Sequence, residues 1–99
     1  MSAIKLNGQD IHLSGPIDRD TVPALWQQLS AWKPAREQHW LDLSEVERID
    51  SAGMVMLIHL IEHAKSENCH IMLCFVPDEL GTLFRLSNVE SLLAEHIKN

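Results

Sequence analysis

The hydrophobic pattern of the chain begins with a period of two. Residues 4–6 and 11–13 alternate apolar with polar side chains, as strands with one covered face do. Asn7-Gly8, between them, is a strong signal for a tight hairpin turn. The pattern therefore predicts an antiparallel β-hairpin, which ends at Gly15-Pro16.

A helical period follows the hairpin. The apolar side chains of one predicted helix face are spaced at i, i+3, i+4, i+7 and i+10: Val22, Leu25, Trp26, Leu29 and Trp32. Asp20-Thr21 is a candidate N-cap, and Pro23 is tolerated in a first turn. Pro34, soon after the last apolar position, ends the predicted helix.

The rest of the chain alternates strands with helices. The predicted elements are a strand at 39–43, a lead-in at 46–49, a helix at about 52–66, a strand at 71–76, a helix from Pro77-Asp78 and a short helix at 91–97. The run at 71–76 is nearly all apolar, as expected in a sheet covered on both faces. The order ββαβαβαα predicts one α/β domain over residues 1–99, with a mixed β-sheet and α-helices packed against it.

Composition narrows the possible functions. The chain has 99 residues, a net charge of −6 and 45% hydrophobic residues. The negative charge argues against a nucleic-acid partner and against binding to anionic lipid surfaces. No apolar run is long enough for direct membrane insertion, so we expect a cytoplasmic protein. Two cysteines, Cys69 and Cys74, are too few for a disulfide scaffold.

The second predicted helix has an apolar inner face and a mixed outer face. Leu57 lies at the centre of the inner face, together with Gly53, Leu60, Ile61 and Ala64. The outer face forms a stripe of five residues: Ser51, Val55, Ile58, His59 and Glu62. Because the inner face already fills the core, the two aliphatic residues predict that this stripe binds a partner.

The start of that helix combines a cap with a hydroxyl. Asp50 is expected to cap the helix. Ser51 lies in the first turn, next to free backbone N–H groups and the positive end of the helix dipole. A phosphate is well tolerated at such a position, so Ser51 is a candidate site of phosphorylation or of regulation by a partner.

Two patterns that could support catalysis are incomplete. His59-Leu60-Ile61-Glu62-His63 has the spelling H-x-x-E-H of a zinc-protease motif, but no cluster supplies a third ligand. Asp42 and Asp50 could form an acid/base pair or bind a divalent ion, although such residues more often cap turns and helices. The sequence has no P-loop, dinucleotide-binding motif or nucleophile elbow. We therefore expect a protein that is not an enzyme and has no metal or cofactor.

Three segments together resemble the STAS domain family, which includes anti-sigma-factor antagonists and the cytoplasmic tails of sulfate transporters. Ile49-Asp50-Ser51-Ala52-Gly53 matches the family's Asp, Ser or Thr, any residue, Gly hallmark at the start of a helix. The segment 41–49 matches the approach to that hallmark, and 13–18 matches its Gly-x-[Ile/Leu]-Asp segment. The resemblance covers the whole chain and implies the STAS fold.

Within that family, the chain is most similar to the small stand-alone STAS subunit of a phospholipid ABC transporter that maintains outer-membrane lipid asymmetry. Segments 22–26, 49–53 and 57–61 carry this resemblance. It implies binding to the ABC-transporter ATPase subunit through Ser51 and its helix, at the cytoplasmic face and peripheral to the inner membrane. The alternative is an anti-sigma-factor antagonist that a partner kinase phosphorylates on Ser51.

Overall fold

The computed structural model describes residues 3–7 and 10–97. The elements are β1 (Ala3–Asn7), β2 (Asp10–Ile17), α1 (Val22–Ala31), β3 (Gln38–Ile49), α2 (Ser51–Ser66), β4 (His70–Cys74), α3 (Asp78–Leu86), α4 (Glu90–Leu93) and a 3₁₀ turn (Ala94–His96). The four strands form one sheet in the order β1-β2-β3-β4. β1 pairs with β2 antiparallel, and the other two pairs are parallel. The predicted mixed sheet and its order ββαβαβαα are confirmed.

The predicted ribbon at the start of the chain is present. Ile4 pairs with Leu13, and Leu6 pairs with Ile11. The tight turn predicted at Asn7-Gly8 includes Gly8, which lies outside the described residues, so the turn itself stays a prediction.

Strand β3 is longer than its sequence pattern predicts. It continues through the polar residues after Leu43 as far as Ile49. Its register against β2 shifts between His12 and Ser14, and again between Gly15 and Pro16. Each shift inserts one extra residue in β3, as a β-bulge does, and this disrupts the alternation that identifies a strand. The extension carries Asp50 to the carboxyl edge of the parallel strands.

Strand β4 is shorter than predicted. It ends at Cys74, and Phe75 adopts a φ of 57°, in the left-handed region. A bulky residue rarely adopts that conformation, so the strand ends there although the apolar run continues to Val76. The Phe75 side chain is 70% exposed.

The sheet is buried on one face, so the expectation of cover on both faces was wrong. Along β2, buried Ile11, Leu13 and Ile17 alternate with half-buried residues such as His12. Trp40 and Met72, which are paired in the register of β3 and β4, are also half-buried. The second face therefore keeps partial contact with solvent, as in sheets with helices on one side.

Helix α2 packs at the centre of the covered face. It contacts β3, β4, α1 and α3. Its buried residues are Gly53, Met54, Met56, Leu57, Leu60, Ile61 and Ala64, which include the whole predicted inner face. Within residues 3–7 and 10–97, no helix combines the length and the apolar character that crossing a membrane requires. The free Cys69 and Cys74 are both buried.

Candidate partner-docking site

Helix α2 begins with a side-chain cap that leaves the next residue exposed. Asp50 is the N-cap residue, and its carboxylate accepts a hydrogen bond from the Gly53 amide at 3.1 Å. The same carboxylate accepts a longer bond, 3.3 Å, from the Arg19 amide in the loop before α1. Ser51 is the first helical residue and is exposed. The Ser51 hydroxyl is therefore presented at the surface beside the free N–H groups of the helix start.

Gly53 allows the start of α2 to lie directly against the sheet. A Cβ atom at this position would lie 2.7 Å from the Ile17 carbonyl oxygen and 2.7 Å from Ile49 Cγ1. The Asp50 amide also donates to the Ile17 carbonyl at 3.2 Å. The absence of a side chain at Gly53 thus fixes how closely the Ser51 turn approaches the ends of β2 and β3.

The loop between β2 and α1, beside this turn, is held by Asp18. Its carboxylate bonds the Arg48 guanidinium at 2.9 Å and accepts from the amides of Asp20 and Thr21. Burial alone would raise the pKa of Asp18, but the hydrogen bonds from Thr21, Arg48 and Asp20 outweigh it, so the pKa lies below its ordinary value. The Asp18 amide donates a hydrogen bond to the Thr21 hydroxyl oxygen at 2.9 Å. Thr21 is the N-cap residue of α1, but its side chain makes no cap bond, unlike the cap that the sequence suggested.

An apolar groove runs between α1 and α2 and starts at Ser51. This α1–α2 groove has a volume of about 490 Å³ and is lined by Val22, Trp26, Ser51, Ala52, Val55, Met56 and His59. The rings of Trp26 and His59 are 6.0 Å apart between centroids. The Val55 side chain is 44% exposed. The groove can therefore accept apolar side chains of another molecule, since concave apolar surfaces suit such contacts.

The five residues of the predicted stripe differ in their exposure to solvent. Ser51, Val55, His59 and Glu62 are exposed, but Ile58 is half-buried and packs against the core. Ile58 therefore contributes to core packing, which the sequence did not predict, and its contact with a partner stays a prediction. Helical spacing places Ile58 at the border of the outer face. Spacing within one helix does not show which neighbouring element covers that border.

Sequence analysis missed the contribution of α1 to this surface. Val22 and Trp26 belong to the predicted apolar face of α1 and do pack against the core, but both are only half-buried and also line the α1–α2 groove. The sequence feature that could have identified these two residues as part of the surface is the absence of charged residues around them. Helix α1 has the sequence VPALWQQLSA, and α2 carries no Asp, Glu, Lys or Arg from Ser51 to Ile61.

Helix α1 and residues 51–61 of α2 are thus free of Asp, Glu, Lys and Arg, in a protein in which 22% of the residues are charged. The buried centre of protein–protein interfaces is depleted of charged residues and enriched in aromatic residues and methionine. The α1–α2 groove has this composition.

A second, acidic groove lies on the other side of Ser51, toward α3. It is lined by Ile49, Asp50, Ser51, Asp78, Glu79, Thr82 and Leu83. Asp78 and Glu79 belong to the first turn of α3, where the helix dipole stabilises carboxylates. Ser51 therefore lies where an uncharged groove meets an acidic one.

The residues considered for metal binding or acid/base chemistry do not come together. His63 Nε2 lies 3.0 Å from the carbonyl oxygen of Trp32, the residue that follows α1, so this ring nitrogen already has a hydrogen-bond partner. Within the part of the chain that the structure describes, no three His, Cys, Asp or Glu side chains form a group that could hold a metal ion.

Asp42 is likewise remote from Asp50. Asp42 lies in the middle of β3, where it pairs in register with Cys74, and Asp50 follows the end of the strand. The Asp42 carboxylate accepts hydrogen bonds from the amide and hydroxyl of Ser44, at 2.8 and 2.6 Å. Burial acts to raise the pKa of Asp42, but these bonds and the nearby His12 lower it further than burial raises it. Asp42 therefore stabilises the bulged strand as an ionised side chain.

Comparison with known proteins gives consistent matches along the chain. Residues 2–94 match the family model described as "Mlab, STAS domain". The intermembrane phospholipid transport system binding protein MlaB of Escherichia coli K12 is 34% identical over 82 residues, which span 83% of this chain and 82% of that protein. The Haemophilus influenzae protein of the same name is 28% identical over 92 residues, 88% of this chain and 87% of that one.

A solved structure matches the fold at lower sequence identity. The crystal structure of an anti-sigma factor antagonist from Mycobacterium paratuberculosis has a TM-score of 0.72 and 22% identity, covering 93% of this chain and 80% of that chain. At this identity the match shows a shared fold.

Proposed function

The chain belongs to the STAS domain family, in the group whose model is named for MlaB, and from this premise we propose that it is the STAS subunit of a phospholipid ABC transporter. Two relatives that match most of its length are named as binding proteins of an intermembrane phospholipid transport system. The proposed role is the one that the sequence resemblance implied, in a system that maintains outer-membrane lipid asymmetry.

In this role the chain binds the ATPase subunit of the transporter through the outer surface of α2. The observation that carries the proposal is the uncharged, partly apolar surface that begins at the exposed Ser51 and includes Val55 and His59. Full burial of an exposed apolar side chain gains about 1.5–3 kcal/mol, and Val55, which is 44% exposed, has roughly half of that left to gain when a partner covers it. Glu62, one helical turn beyond His59, lies at the edge of this contact.

The proposed subunit acts by binding and does not catalyse a reaction. Binding to one conformation of the ATPase would stabilise that conformation or change its population, which is how a small module stabilises or regulates a larger enzyme. The module then lies at the cytoplasmic face of the inner membrane, held there by its partner.

Co-expression with the ATPase subunit of the same transporter tests the proposal. We expect the two chains to co-purify through size-exclusion chromatography. Deleting the gene for this chain should lower the amount of ATPase in the membrane and raise the phospholipid content of the outer leaflet of the outer membrane. Failure to co-purify, with normal outer-membrane lipid in the deletion strain, would reject the proposal.

The alternative, an anti-sigma-factor antagonist, is favoured by one observation: the Ser51 hydroxyl is exposed at a helix start, where a kinase can reach it. The acidic groove opposes it, because Asp78 and Glu79 lie beside Ser51 and would repel a phosphate. Mass spectrometry of the chain purified from its native host separates the two functions. Phosphate on Ser51 and a co-purifying kinase would favour the alternative.

A further inference from the structure

The α1–α2 groove gives the proposed interface a second wall. The sequence predicted a contact made by one helix face, but the groove is lined by Val22 and Trp26 of α1 as well as by Val55 and His59 of α2. Trp26 is half-buried, so part of its ring is available to a partner. A partner that contacted α2 alone would leave the exposed part of this ring in water, and the complex would not gain the stabilisation from burying the largest apolar side chain of the surface.

We propose that the α1–α2 groove receives an apolar segment of the ATPase subunit, with a basic side chain at the end that meets Glu62. This inference rests on the proposed function, because it names the part of the same partner that fills the groove. An apolar face inserted between two helices is an established mode of recognition.

Charge argues for the composition of this segment. The walls of the groove carry no Asp, Glu, Lys or Arg, so a charged side chain inserted there would be buried without a counterion. The Glu62 carboxylate is exposed at one end of the surface, and in the described part of the chain it forms no ion pair. A Lys or Arg of the partner would complement it and orient the segment along the groove.

The geometry sets the length of the segment. Ser51 lies at one end of the groove, and Glu62 follows it by eleven positions on the same helix. At 1.5 Å per residue, this separation is roughly 16 Å along the axis of α2. A helix of about eleven residues, or a shorter extended segment, spans that distance.

Site-specific photocrosslinking in the co-expressed complex tests the inference. A photoreactive phenylalanine replaces Val55 in one variant, and Ala24 in a matched control, because Ala24 is exposed but does not line the groove. We expect the variant at Val55 to crosslink to an apolar peptide of the ATPase subunit that carries Lys or Arg at one end. The variant at Ala24 should crosslink to that peptide at least tenfold less.

Three variants test the groove and its charge by affinity. Val55→Trp fills the groove and should weaken binding to the ATPase subunit at least tenfold, whereas Ala24→Trp should bind as wild type does. Glu62→Lys should weaken binding several-fold, and this loss should shrink as salt is added, because salt screens the charges at the edge of the contact.

The possible outcomes separate the inference from the function on which it rests. If no complex with the ATPase forms, both are rejected. If the complex forms while Val55→Trp binds normally, the inference alone is rejected. Crosslinks from position 55 to a second copy of this chain, or to lipid, would also overturn the inference and leave the proposed function standing.

Discussion

The Asp50 carboxylate accepts a hydrogen bond from the Gly53 amide, and Gly53 in turn lies where any Cβ atom would collide with the Ile17 carbonyl. Asp50 thus provides a partner for one of the free N–H groups at the start of α2, and Gly53 lets that helix approach the sheet. Ser51, between them, contributes to neither interaction and is exposed. The structural requirements of this turn are met by its neighbours, which leaves the serine available for a partner.

Replacing the cap should therefore cost more than replacing the serine. Asp50→Ala removes the bonds to the Gly53 and Arg19 amides, and we expect a loss of about 0.5–2 kcal/mol in the free energy of unfolding. Ser51→Ala should change it by less than about 0.5 kcal/mol, as surface substitutions usually do. Urea denaturation followed by circular dichroism measures both. A larger loss for Ser51→Ala would make Ser51 chiefly structural.

The two helical glycines should respond in opposite directions to alanine. Gly53→Ala places a Cβ atom 2.7 Å from the backbone oxygen of Ile17, so we expect a loss of about 1–3 kcal/mol. At Gly81, in α3, a Cβ atom meets nothing within 4 Å, so Gly81→Ala should stabilise the protein by about 0.4–1 kcal/mol. Thermal melts of the two variants give the comparison. Equal melting temperatures would contradict the close approach at Gly53.

Stability should fall in mild acid because of His96. Burial, together with the nearby His70 and Lys65, lowers the pKa of His96 below its ordinary value of 6.5, while the Ile71 carbonyl, 2.8 Å from Nδ1, and Glu95 oppose the shift. The unfolded chain then binds a proton more readily than the folded one. The contribution of His96 to the free energy of unfolding is therefore complete above its pKa in the unfolded chain. It is lost as the pH falls below that value toward the pKa of His96 in the folded protein.

His96→Gln should reduce this pH dependence. We expect the wild type to lose more stability than His96→Gln between about pH 7.5 and pH 5.5, as measured by urea midpoints. The exposed His59 supplies a matched control, and His59→Gln should follow the wild type. The His70 ring stacks on His96 with the centroids 4.4 Å apart, which places it close enough to contribute to the lowered pKa of His96. If stability changed with pH to the same extent in the wild type and in His96→Gln, His96 would not be the cause of the loss in acid.

The sequence predicted the parts of the fold that depend on local periodicity. The alternation in β1 and β2, and the apolar face of α2 centred on Leu57, each appear in the structure as expected. The length of β3 could not be predicted, because two bulges break the alternation near Leu43 and Val46. The end of β4 depends on the backbone angle of Phe75, and nothing in an apolar run indicates that angle.

The surface around Ser51 was predicted in part. Asp50, Ser51, Val55 and His59 could be placed from helical spacing alone, since they share one element. The contribution of Trp26 depends on how α1 packs beside α2, and the burial of Ile58 depends on what covers the edge of α2. These are tertiary relationships between helices, which a single helical wheel does not contain.

The affinity of the ATPase subunit for Val55→Asp tests the central claim most directly. Val55 is 44% exposed on the solvent side of α2, so the variant should keep the wild-type circular dichroism spectrum and nearly the wild-type melting temperature. Ala24→Asp, an exposed change on α1 that lies outside the groove, is the matched control. Isothermal titration should give a Kd at least tenfold weaker for Val55→Asp, because an unpaired carboxylate would be buried in the contact, and a wild-type Kd for Ala24→Asp. A folded Val55→Asp variant that binds the ATPase as tightly as wild type would contradict the claim that this surface of α2 docks on the transporter.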